Sequence, residues 1–130
     1  MKVKKIIASA IAAAMATTAL AITVSAGSGT VAACSVSYVS EISAARALST
    51  SGVSANPSAN TYSLSIFATY VYRNPSTGVS ESDTGYNSSN SNGCLLSYYA
   101  PKGCEMKSVA ADHTFTINNK SGFFDSAASR

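Results

Sequence analysis

An all-β fold, a small antiparallel β-sandwich or partly open barrel, follows from three features of the chain. The stretch Tyr62–Arg73 alternates, with Tyr62, Leu64, Ile66, Ala68, Tyr70 and Tyr72 on one parity and Ser63, Ser65, Phe67, Thr69, Val71 and Arg73 on the other. Successive strand side chains point to opposite faces, so this is a half-buried strand with its even residues in the core. Other short runs of the same kind recur about every ten residues, and Gly, Pro and Asn turns separate them. The third feature is negative: no heptad and no long 3.6-residue apolar period interrupts the pattern.

The elements follow in order. Lys2, Lys4 and Lys5 open the chain, and Ile6 to Val24 carries no charge. Val24-Ser25-Ala26 then supplies the small residues that a signal peptidase reads. The pattern predicts a signal peptide over 1–26, cut between Ala26 and Gly27, a flexible Gly/Ser/Thr spacer over 27–33 and a single β domain over 34–130. An uncleaved anchor is the weaker reading, because eight of the nineteen residues of the apolar run are Ala, which gives little drive to stay in lipid.

Ser35 to Ile42 alternates as a first strand, and Ala44 to Leu48 reads as a second, since the Ser49-Thr50-Ser51-Gly52 that follows favours extended structure. Ser54 to Asn60 is a loop, and the long strand at 62–73 ends in the turn Asn74-Pro75-Ser76-Thr77-Gly78. Val79 to Tyr86 is polar on both faces, as an edge strand is, with Glu81 and Asp83 discouraging further pairing. To keep those carboxylates off the core side, the expected register places a bulge at Gly78 and sets Tyr72 opposite Ser82 rather than Glu81.

Tyr86 to Gly93 reads as a polar loop, Cys94 to Ala100 as a strand, and Ala100-Pro101-Lys102-Gly103 as a tight turn. Cys104–Ala111 and Thr114–Ile117 continue the sheet around a bend or bulge at Ala111-Asp112-His113. Asn118 to Gly122 turns the chain into a last strand at Phe123-Phe124.

Charge narrows the function classes. Without residues 1–26, three Lys and three Arg face six Asp and Glu, so the mature chain is neutral and its apparent basicity belongs to the leader. No basic surface remains for a nucleic-acid backbone, and contact with a membrane is expected only through the signal peptide or a lipid. Cys34, Cys94 and Cys104 are an odd number for an exported chain. Cys94 and Cys104 are the candidate disulfide, although a plain hairpin between them would hold them about 17 Å apart, beyond the reach of a bridge, so a pairing of Cys34 with Cys94 or with Cys104 stays open. Val31-Ala32-Ala33-Cys34 resembles a bacterial lipoprotein cleavage site, which makes Cys34 the alternative candidate for lipidation.

Candidate chemistry is sparse. His113 is the single histidine, beside Asp112 and among many serines. Neighbours on a strand face opposite ways, however, and no Gly-x-Ser-x-Gly elbow is present, so a polar bend residue is expected rather than a catalytic base. No clustered ligands suggest a metal, and no cofactor is expected. Most strand tyrosines are expected in the core. Tyr99, on the parity opposite Tyr98, is the candidate exposed binding aromatic. The expectation is an exported, bacterial, non-catalytic module that binds an extracellular or envelope ligand or associates with the cell surface. A secreted antimicrobial or toxin-like protein is the alternative, and a small hydrolase comes third.

Overall fold

The computed structural model describes residues 23–54 and 61–130. The charged and apolar parts of the expected leader, at 1–22, and residues 55–60 of the expected loop lie outside the described residues. Among the described residues are eight strands: β1 Thr23–Val31, β2 Cys34–Ile42, β3 Arg46–Val53, β4 Tyr62–Arg73, β5 Ser80–Ser89, β6 Gly93–Tyr99, β7 Glu105–Ile117 and β8 Lys120–Ser129. All pair antiparallel, in two four-stranded sheets ordered β5-β4-β7-β8 and β1-β2-β3-β6. The start of β1 joins the two, with Thr23 and Val24 opposite Ser129 and Ala128.

The outer edges of that continuous order, β5 and β6, come together without a ladder. Two side-chain bonds close the seam instead. Asn87 Nδ2 donates to the Leu95 carbonyl at 2.6 Å, and the Tyr98 hydroxyl donates to Asp83 Oδ2 at 3.0 Å. The molecule is therefore a sandwich and not a closed barrel.

β4 lies where its alternation places it. Leu64, Ile66, Ala68 and Tyr70 are buried, while Ser63, Phe67, Thr69 and Arg73 face out. It pairs with β5 on one side and β7 on the other, where Leu64 opposes Phe115, Ile66 His113, Ala68 Ala111 and Tyr70 Val109. Removing those side chains from water is the main stabilising term of the domain.

The register of the β4–β5 hairpin differs from the expected one. Tyr72 sits opposite Glu81 and Tyr70 opposite Asp83, with no bulge at Gly78. The bulge was expected on the premise that the core side of β5 is dry, and it is not. Glu81 and Asp83 are both exposed at the seam, and Asp83 accepts the Tyr98 hydroxyl, so neither is an unpaired buried charge. The four-residue turn is held by Asn74 N–H to Val79 O at 2.9 Å and Gly78 N–H to Asn74 O at 2.8 Å, with Gly78 at φ +75°.

Residues 27–31 are not a flexible spacer but the body of β1, paired with β2 from Ser25↔Ser40 to Val31↔Cys34. The glycines that read as linker composition have a packing role. A Cβ on Gly27 would strike the Tyr38 ring, and one on Gly29 would lie 2.6 Å from Phe124. Tyr38 and Phe124 stack with centroids 5.0 Å apart, and bare backbone lets them lie flat against β1.

Cleavage between Ala26 and Gly27 would remove the residues that tie β1 to β8 and leave Gly27–Val31 in the sheet. Cleavage at Cys34 would remove β1 altogether. Cys34 itself is buried in the core.

The expected bend or bulge at 111–113 is also absent. β7 runs unbroken through Asp112 and His113, and its irregularity lies lower, where Val71 opposes Ser108 but Tyr72 opposes Met106. The extra residue there, Lys107, switches the parity of the inward face from Met106 to Val109.

None of the three cysteines is bonded. β6 pairs with β3 rather than forming a hairpin with β7. Cys94 therefore lies at one end of β6 and Cys104 beyond the other, about 20 Å away at strand rise. That is too far for a disulfide.

Candidate binding face

β4, β5, β7 and β8 present one broad outward face, and register fixes what shares it. Phe67 opposes Tyr86 on β5 and Asp112 on β7, and Asp112 opposes Asp125 on β8. The next row reads Ser88, Ser65, Thr114 and Phe123. Phe67, Tyr86 and Phe123 are 45%, 64% and 75% exposed. Single exposed apolar residues are ordinary on a protein surface, but three aromatics on one sheet face are not. They line a shallow depression of about 560 Å³ together with Ser65, Asp112, His113, Thr114, Phe124 and Asp125.

The carboxylates are placed by the same parity that buries His113. Asp112 and Asp125 point out from paired positions, so their Cα atoms stand about 5 Å apart. Like charges directly opposite on a sheet are destabilising. No ion pair relieves them: among the described residues the salt bridges are those of Glu105 with Lys107 and Arg130.

Behind this face lies a sealed polar core. His113 is fully buried, its Nδ1 2.7 Å from Ser51 Oγ and its Nε2 2.6 Å from Ser126 Oγ. Ser126 continues to Ser40 at 2.6 Å and Ser40 to Ser49 at 2.8 Å. A neutral imidazole donates at one nitrogen and accepts at the other, so the chain of hydroxyls can run in either direction with every bond made. The Tyr38 ring covers the imidazole at 5.4 Å. Burial drives the His113 pKa down to about 4, against a small opposing pull from Asp125.

His113 is thus a structural hub and not a bend residue. It ties Ser51 of the opposite sheet to Ser126 of the neighbouring strand β8, and its side chain is fully buried. Asp112, the neighbour that a Ser-His-Asp site would need, points the other way, as strand parity requires.

A second aromatic group fills the seam end of the core. Tyr70 and Tyr98 stack at 4.3 Å and 11°, with Tyr72 6.3 Å from Tyr98. Burial, reinforced by Asp83, pushes the Tyr70 phenol up to about 12, and burial, then the bond to Asp83, raises that of Tyr98. These rings are neutral packing groups. Gly85 leaves room for Tyr70, since a Cβ there would sit 3.0 Å from the ring.

Tyr99 lies on the outward side of β6, 67% exposed and opposite Arg46. It belongs to the other sheet and does not join the aromatic face. Phe67, Tyr86 and Phe123 were not singled out in the sequence. The usable signal was that Phe67 is the one aromatic on the outward parity of β4, but pairing it with Tyr86 and Phe123 requires the register.

Compared with protein-family models, characterised proteins and solved structures, the chain matches none.

Proposed function

We propose that this chain is a small exported binding module, acting without catalysis on a ligand in the cell envelope or outside it. The observation that carries the reading is the outward face of the β5-β4-β7-β8 sheet, where three exposed aromatic rings share the surface with two facing carboxylates that no ion pair neutralises. Aromatic rings supply contact area at little entropic cost, and they gather where a surface is built for recognition. Export rests on the Lys-rich start, the apolar run and the small residues before Gly27. Neutrality of the remaining chain sets nucleic acid aside as a partner.

Two measurements test this. Intact mass of the protein recovered from its host's culture medium is expected to begin at Gly27; a species starting at Met1 and confined to the cells would overturn export. Labelled protein incubated with washed envelopes of that host is expected to be retained, and F67S/F123S to wash off. Equal retention of the two proteins would refute the role of the face.

A further inference from the structure

We infer that the ligand of this face is an arginine-bearing segment of polypeptide, an inference that rests on the reading of the face as a binding surface. Covering the face takes Asp112 and Asp125 out of water together. A neutral ligand would leave two facing carboxylates desolvated without compensation, which is strongly unfavourable. A cation placed between them removes that penalty and also the repulsion already present.

Among the described residues, no ion pair brings such a cation to Asp112 or Asp125. Lys107 and Arg130 are held by Glu105. Arg73 and Lys120, at the ends of β4 and β8, lie six and five residues along from Phe67 and Asp125, about 17–20 Å away. The other polar groups in reach of the rings are the hydroxyls of Ser65, Thr69, Thr84, Tyr86, Ser88 and Thr114, which are neutral and carry no charge to set against the two carboxylates. A second copy of the chain fits poorly, because it would bring its own Asp112 and Asp125 to the same face.

Arginine is preferred over lysine by geometry. Phe67 and Asp112 are direct cross-strand neighbours, about 5 Å apart, so one planar guanidinium can lie on the ring while its fork meets the carboxylate. Tyr86 and Phe123 extend the apolar contact to either side for the stem of the residue or for its neighbours.

The test is fluorescence anisotropy of labelled hexa-arginine, hexa-lysine and neutral chitohexaose with the purified protein at 50 and 500 mM salt. Hexa-arginine is expected to bind at least fivefold more tightly than hexa-lysine, to weaken at least tenfold at the higher salt, and to lose at least tenfold in affinity with D112N/D125N. F67S/F123S, with its melting temperature checked against wild type, is expected to lose as much. Binding of hexa-arginine that survives D112N/D125N would overturn the arginine assignment, as would no binding of any probe or preferential binding of chitohexaose. A ligand lost with F67S/F123S but indifferent to D112N/D125N would sink this inference and leave the binding face standing. Indifference to both double variants would sink the face itself.

Discussion

Acidification should destabilise this domain through His113 alone by an amount that can be worked from its surroundings. The imidazole is fully buried, and both nitrogens meet serine hydroxyls, which can accept from an imidazolium but bring no compensating charge. Its pKa falls from about 6.5 in the unfolded chain to about 4 in the fold. A depressed histidine pKa means that the unfolded state takes up a proton first, so stability rises with pH across this window and is lost as pH falls through it. At 1.36 kcal/mol for each pKa unit, the loss reaches about 2 kcal/mol at pH 5 and about 3 kcal/mol by pH 4.

Glu41 acts in the opposite sense. Burial raises its pKa, against a smaller lowering by Arg46, so its protonation favours the fold at low pH. The comparison that isolates the histidine is therefore wild type against H113N, unfolded in urea at pH 7.5, 6, 5 and 4. H113N is expected to be the less stable protein at neutral pH, with a stability gap that narrows by about 3 kcal/mol on going to pH 4. A gap that stays constant with pH would show that the imidazole is charged or hydrated in the native state, and the sealed network would be wrong.

Three other outcomes are expected. Gly27→Val drives a branched side chain into the Tyr38 ring and should cost about 1–3 kcal/mol by overpacking, read from the urea midpoint. The β1–β2 turn places Ala32 and Ala33 at φ 49° and 63°, where a Cβ is strained, so Ala33→Gly should stabilise by about 1 kcal/mol and raise the melting temperature by a few degrees. Iodoacetamide should label all three cysteines after denaturation but only Cys104 in the native protein, where Cys34 and Cys94 are buried; a thiol count of one would restore a disulfide.

The alternation in 62–73 determined the all-β class, the position of the longest strand and which of its faces is dry, because side-chain direction in a strand depends on nothing beyond parity. Parity likewise separated Asp112 from His113. What the chain could not reveal was partnership. The glycines of β1 look like linker until Tyr38 and Phe124 are placed on them, and the carboxylates of β5 look intolerable on an inward parity until that edge is seen to be wet. Reading a bend at 111–113 also broke the odd-numbered run Val109, Ala111, His113, Phe115 and Ile117, which is continuous and buried. Ser51 reaches His113 from the opposite sheet, and the outward face joins two hairpins, β4–β5 and β7–β8, that are far apart in sequence. Only the register between those strands, set by packing of the whole sandwich, decides which of them meet.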